Sequence, residues 1–174
     1  MIITRSWAMP NHNTFSIKPI KELVLHHISD DMLLKMTWVD PFSRNSPFAE
    51  DMITNDLSED FKADYHLEAL EFLKTFQNES IDGVLFDPPY SPRQISECYK
   101  SVGRAVHMKD TQSSFYGDRK KEVARIVKKG GKVISFGWNS GGIGKTLGFE
   151  IIEILLVAHG GAHNDTICTV EVKL

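Results

Sequence analysis

Val84-Leu85-Phe86-Asp87-Pro88-Pro89-Tyr90 is a short apolar run that stops at an acid, two prolines and an aromatic ring. Neither proline can donate to a β-ladder and each fixes its own φ, so the run predicts a buried parallel strand ending at the carboxyl edge of a sheet. Open α/β sheets bind their ligands at that edge. An Asp-Pro-Pro-Tyr string arises by chance in roughly one chain in a thousand of this length. The corner is therefore a candidate functional site, and its bland alternative is a turn with a surface tyrosine.

The chain upstream repeats the pattern. Leu33 to Val39 reads as a strand ending at Asp40-Pro41-Phe42-Ser43, and Met52 to Asp56 as another, followed by a polar loop from Leu57 to Lys62. Three strand-like runs thus finish in Asp40, Asp56 and Asp87. Before them, Ile20, Leu23, Val24 and Ile28 recur at helical spacing over Lys21 to Ile28, with Pro19 suited to the first turn and Ser16 to the cap. Residues 1 to 14 have no periodicity and read as a loosely ordered arm. Leu67, Leu70, Leu73 and Phe76 mark one face of a helix after a short extended piece, Ala63 to His66.

Downstream, Ser91 and Pro92 suit the cap and first position of a helix running through Tyr99 and Val102. Gly103 to Gly117 reads as a long surface loop carrying Phe115 and Tyr116. Asp118 to Lys128 resumes helical spacing, closed by Gly130-Gly131, and Lys132 to Trp138 is the next strand. A glycine-rich connector, Asn139 to Gly148, leads to two β-rich runs, Phe149 to His159 and Thr166 to Val172, joined by a turn. Strands alternating with helices and then a closing hairpin predict an α/β fold, a mostly parallel sheet with a C-terminal antiparallel hairpin.

The bulk numbers agree with one domain spanning 1–174. The chain has 174 residues, 41% hydrophobic and 25% charged, and no apolar run long enough to span a membrane. With no signal peptide at Met1 and only Cys98 and Cys168, a reducing compartment, the cytoplasm, is expected. The net charge of -3 hides a basic segment from Arg93 to Lys132, where eleven Lys and Arg face four acids. A nucleic acid would suit such a stripe, and a solvated helix face is the plainer reading.

Two rival motifs are weak. Asn139-Ser140-Gly141-Gly142-Ile143-Gly144-Lys145-Thr146 resembles a phosphate-binding loop, but Asn139 stands where its first glycine belongs and β-rich residues follow where a helix is required. His159 and His163 lie in a hairpin turn with only Asp165 nearby, and no metal is expected.

Taken together the pieces resemble the class I S-adenosylmethionine-dependent amino-methyltransferases with a DPPY motif, most closely small phage-type DNA N6-adenine methyltransferases. The likeness covers nearly the whole chain and implies a Rossmann-like class I methyltransferase fold. Asp87-Pro88-Pro89-Tyr90 matches the catalytic motif. The resemblance implies cofactor contacts at Phe15 and Ile17 of the segment Thr14 to Pro19, at Asp40, Pro41, Phe42 and Ser43, at Asn55 and Asp56, at Glu68 and Ala69, and at Asp87. Lys129-Gly130-Gly131-Lys132 looks like the family's turn into strand five. One departure is that Ser43-Arg44-Asn45-Ser46-Pro47 lacks the glycine pair the family has there. Close approach of the backbone then uses ordinary φ values or a left-handed Asn45.

The implied reaction moves a methyl group from S-adenosylmethionine to the N6 amino group of adenine in DNA. That amine is a poor nucleophile because its lone pair is delocalised into the ring, so it must be polarised and aimed. Asp87 would accept one amine hydrogen and the Pro88 carbonyl the other, while Tyr90 would stack on a base taken out of the duplex. The basic segment and the loop would contact nucleic acid through Arg93, Lys100, Arg104, Lys109, Phe115 and Tyr116. An RNA base is the second substrate class, and a non-catalytic module that holds cofactor or nucleic acid is the alternative from another class. No separate target-recognition domain is expected, so specificity is low or comes from a homodimer or a second subunit.

Overall fold

The computed structural model describes the backbone of all 174 residues and every side chain except those of Lys109 and Thr111. Seven strands form one sheet in the order β1-β6-β7-β5-β4-β2-β3. They are β1 (Ile2–Trp7), β2 (Trp38–Asp40), β3 (Ile53–Thr54), β4 (Ile81–Phe86), β5 (Val127–Gly137), β6 (Phe149–Ala158) and β7 (Thr166–Lys173). β3, β2, β4 and β5 pair in parallel, β7 runs antiparallel to both β5 and β6, and β1 adds a parallel edge beside β6. The helices are α1 (Lys18–Leu33), α2 (Ala69–Lys74), α3 (Pro92–Ser101) and α4 (Ser113–Ile126).

Alternation along β4 divides the core. Leu85 points to one face, where Ile20, Val24 and Ile28 of α1 pack with Ile134, Leu155 and Val170. Val84 and Phe86 point to the other, against Phe72 and Leu73 of α2 and Val123 and Ile126 of α4. The result is the three-layer α/β/α arrangement expected for a parallel sheet. A third small cluster, Ile95, Tyr99 and Phe115, joins α3 to α4 above the carboxyl edge.

Several expectations are corrected. Residues 2–7 are not a loose arm but β1, which has little burial to announce it and is held by its ladder to β6. His159 locks the junction: one ring nitrogen meets the Ala8 carbonyl at 2.8 Å and the other the Thr166 hydroxyl at 2.9 Å. Helix α1 continues to Leu33, so the run read as a strand from Leu33 to Val39 is mostly a helix end and a turn. The cap of α1 is Ile17, and the Ser16 hydroxyl instead donates to the Asn13 carbonyl. The stretch read as a loop to Gly117 contains a 3-10 turn, Met108–Thr111, and the first turn of α4.

Gly130 and Gly131 do not close a helix. They form an outward excursion within β5, where the pairing jumps from Ile81↔Val127 to Gly83↔Lys132. A Cβ at Gly131 would sit 2.8 Å from the Asp82 carbonyl, so only glycine fits there. The glycine-rich connector carries no helix beyond a 3-10 turn at Lys145–Leu147. Its Ile143 and Gly144 N–H groups donate to the buried Glu171 carboxylate at 2.6 and 3.0 Å, so the cradle that could hold a phosphate is filled from within the chain. No helix among the described residues is long and apolar enough to cross a membrane.

Candidate functional site

The carboxyl ends of β2, β3 and β4 open on a cavity of about 460 Å³. Asp87, Pro88, Pro89 and Tyr90 form one wall, Pro41 to Arg44 another, and Glu68, Ala69 and Phe115 a third. The size falls in the range of small-molecule sites. Of the three acids singled out in the sequence, Asp87 and Asp56, the latter two residues beyond β3, line this cavity, whereas Asp40 is buried behind Pro41 and is not part of the lining.

Asp87 follows β4 directly and is half-buried in the cavity wall. Burial pushes its carboxyl above the usual carboxylate range, while the Tyr90 and Thr14 hydroxyls and the Arg44 charge act the other way. The Tyr90 hydroxyl donates to Asp87 Oδ1 at 2.5 Å, and the Tyr90 ring lies edge-on to Trp138 with centroids 5.8 Å apart. Tyr90 therefore does not project as an open stacking platform; it is folded onto the acid it follows.

Asp40 is 1% exposed. Its Oδ1 accepts from the Phe42 N–H at 3.0 Å, and its Oδ2 is buried without a partner among the described residues. Burial, and then repulsion from Asp87 and Asp56, pushes this carboxyl well above its usual range.

The loop after Asp40 solves its lack of glycine at an unexpected position. Arg44, not Asn45, takes the left-handed conformation, with φ 42°. That costs roughly 1–2 kcal/mol for a residue with a Cβ. The offsetting contacts are local: the Arg44 N–H donates to Asp56 Oδ2 at 3.0 Å, and its guanidinium lies 5.1 Å from the centre of the Phe61 ring. The second Asp56 oxygen accepts from the Ser58 N–H at 2.8 Å, so this acid organises the two loops that flank the cavity.

Other expected cofactor contacts carry hydrogen bonds and packing within the chain, although Phe15, Phe42, Ser43, Asn55, Glu68 and Ala69 line the cavity. The Asn55 side chain is spent on the backbone, its amide donating to the Pro41 and Leu67 carbonyls at 3.1 Å and its oxygen accepting from the Leu67 N–H at 2.9 Å. Ser43 donates both its N–H and its hydroxyl to the Asn55 carbonyl. Phe15 sits at the cavity edge but is buried between Phe48 and Phe136, and Ile17 lies in the core away from the cavity lining. Phe42 packs edge-on against Phe86. Glu68 caps α2, with Oε2 accepting from the Leu70 N–H at 2.8 Å, and its Oε1 is paired with the buried Arg119 and the Tyr99 hydroxyl. Burial, with the Glu68 charge beside it, pushes the Tyr99 phenol up to about 12.

The expected nucleic-acid contacts divide. Arg93, Lys100 and Arg104 are exposed on or just after α3, whose Gln94, Glu97 and Cys98 line the cavity. Arg93 is paired with Glu97, and Arg104 stacks over Tyr99. The side chain of Lys109 lies outside the described residues. Phe115 and Tyr116 are corrected: they belong to α4 and not to an overhanging loop. Phe115 is buried beneath the Arg119 guanidinium, and the Tyr116 hydroxyl donates to the Pro89 carbonyl at 2.7 Å.

Sequence reasoning missed Arg44, Phe61, Gln94, Tyr99, Arg119 and Trp138. Two left a signal. Ser91-Pro92-Arg93-Gln94 has capping-box spacing, and Gln94 does reach back, its side-chain oxygen accepting from the Tyr90 N–H at 2.6 Å. Arg119 falls on the buried stripe of α4 between Phe115 and Val123.

No family model matches the sequence, and no curated protein does. Solved structures do resemble the fold. TrmN from Thermus thermophilus superposes with a TM-score of 0.59 at 15% identity over 91% of this chain, which spans 49% of that protein's length. A SAM-dependent methyltransferase from Archaeoglobus fulgidus gives 0.55 at 12% identity, covering 88% of this chain and 94% of that one. Another from Methanosarcina mazei gives 0.54 at 11% identity, covering 85% and 97%. The chain has a Rossmann-like methyltransferase fold.

Proposed function

We propose that this chain binds S-adenosylmethionine in the cavity and transfers its methyl group to the exocyclic N6 amine of adenine in DNA. One observation carries the reading: the Asp87-Pro88-Pro89-Tyr90 corner shares one cavity with the loop after β2, Pro41 to Arg44, and with Asp56 just beyond β3. The fold's likeness to SAM-dependent methyltransferases supports the choice of cofactor.

The residues suit that cofactor. It is a cation at sulfur and at its ammonium group, and the cavity is bordered by Asp56 and Asp87, with Glu68, itself paired with Arg119, on a third side. Asp56 is held rigid by two backbone donors and retains oxygen lone pairs for hydroxyl groups. Phe61 and Leu57 offer apolar surface for a purine. When bound, the cofactor supplies an electrophilic methyl group with a good leaving group already attached.

The chain's task is then to prepare the amine. Asp87 accepts one amine hydrogen, through the carboxylate oxygen not taken by Tyr90, and the Pro88 carbonyl accepts the other. Both draw nitrogen toward tetrahedral geometry and aim its lone pair across the cavity. No strong base is needed, because the amine loses its proton after the new bond has formed. Preorganised acceptors in a partly dry corner supply the catalysis. Arg93, Lys100 and Arg104 beside the mouth would hold phosphates and set register without reading sequence. The test is incubation of the wild-type protein with methyl-labelled S-adenosylmethionine and unmodified DNA or RNA. Label recovered as N6-methyladenine from DNA is expected; label only in RNA moves the proposal to an RNA base, and none in either overturns it.

A further inference from the structure

The peptide unit between Pro89 and Tyr90 is held at both ends by side chains from different helices. Its carbonyl accepts from the Tyr116 hydroxyl of α4 at 2.7 Å, and its N–H donates to the Gln94 side-chain oxygen of α3 at 2.6 Å. Both side chains are half-buried, and both helices are anchored nearby. Ile95 and Tyr99 of α3 pack against Phe115 of α4, and Arg119 ties α4 to Glu68 at the start of α2. The Pro88 carbonyl, by contrast, accepts no hydrogen bond among the described residues.

We propose that Gln94 and Tyr116 are positioning residues for the methyl acceptor, fixing the Pro89–Tyr90 peptide plane so that the Pro88 carbonyl is the single backbone acceptor the corner presents beside Asp87. This rests on the methyl-transfer reading. An exocyclic amine has two hydrogens and needs two acceptors on defined sides. Asp87 is one. Two adjacent prolines offer two carbonyls, and an amine shared between them would have its lone pair aimed in two directions. Tyr116 occupies the wrong carbonyl. Gln94 stops the same plane from rotating, and the fixed φ of Pro89 transmits that orientation back to Pro88. The clamp also sets where the Tyr90 ring leaves the main chain, and hence its contact with Asp87. Because a proline carries no N–H of its own, the corner cannot be secured by a ladder and depends on side chains from outside it.

The experiment compares Tyr116→Phe, Gln94→Met and Gln94→Glu with wild type. It reads kcat and KM for DNA at saturating S-adenosylmethionine, S-adenosylhomocysteine affinity by calorimetry, and melting temperature. Tyr116→Phe and Gln94→Met each remove one hydrogen bond with little change of shape. Each is expected to lower kcat by about tenfold, with cofactor-product affinity and melting temperature near wild type. The double variant should fall no further than about the worse single one, since both act on one rigid unit. Gln94→Glu keeps an acceptor for the Tyr90 N–H and is expected to retain kcat. Wild-type kcat in both loss variants, a Gln94→Glu as impaired as Gln94→Met, or losses that only track melting temperature would overturn the inference and leave the methyl-transfer reading standing. Absence of transfer by the wild-type protein would overturn both.

Discussion

Replacing Gly83 by alanine tests how the sheet delivers its acids. Gly83 of β4 pairs with Trp38 of β2; β2 ends at Asp40, and Asp87 follows the last residue of β4. A Cβ on Gly83 would fall against the Trp38 ring, at Cε2, Cδ2 and Cζ2, well under the 3.0 Å at which real Cβ contacts stop. The ring has nowhere to go: it is 1% exposed, and its Nε1–H donates to Asp31 Oδ2 at 3.2 Å. Asp31 is itself paired with Lys132 at 3.1 Å. Overpacking of this kind costs about 1–3 kcal/mol. Losing a buried hydrogen bond to a charged group costs roughly 1.5–3 kcal/mol more. A loss of about 3–5 kcal/mol is a large part of the ~5–15 kcal/mol that holds a domain together. Urea denaturation of Gly83→Ala should show it, with an unchanged m-value. In a Trp38→Leu background, where the ring is gone, the same substitution should cost less than about 1 kcal/mol. An equal cost in both backgrounds, or a single-variant cost under about 1 kcal/mol, would refute the steric argument.

Two further outcomes follow from the site itself. Tyr90→Phe removes the hydroxyl that steadies the ionised form of Asp87, leaving burial less opposed. The Asp87 pKa should rise, and because the amine needs the ionised carboxylate, the acid limb of kcat/KM should move to higher pH; a limb that stays or moves lower contradicts the assignment. Reversing Arg93, Lys100 and Arg104 to glutamate loses the Glu97 pair and the Tyr99 stacking but no buried group, so the melting temperature should fall by only a few degrees. DNA affinity should fall and the slope of log affinity against log salt should flatten by up to about three; affinity and slope equal to wild type would place the nucleic acid elsewhere.

Much of the architecture was legible because it is written in local contrast. The Val84–Phe86 run stops at two prolines, the C-terminal runs are interrupted by Gly160-Gly161, and Ser91-Pro92 begins α3 as its chemistry predicts. β1 was illegible because its stability lies in backbone pairing to β6, while five of its six side chains are exposed. Leu33 and Leu34 misled the reading of α1: they are apolar yet 82% and 73% exposed, so they mark no core. The start of α4 was hidden because its buried stripe includes Arg119, which a search for apolar residues passes over.

In the site, the three acids could be placed from strand ends, but their occupations could not. Asn55 and Glu68 carry suitable chemistry and spend it on the Leu67 backbone and on Arg119, partners distant enough in sequence that only the fold reveals them. Arg44 took the left-handed position instead of Asn45 because the Asp56 carboxylate receives its N–H. That exchange depends on two loops meeting, which no local propensity records.

The most direct test of the account is the N6-methyladenine content of DNA from cells producing the wild-type protein, compared with cells producing Asp87→Ala at equal soluble levels. The account predicts methylated adenine with the wild-type protein and none above background with the variant. Methylation that persists in Asp87→Ala would contradict it.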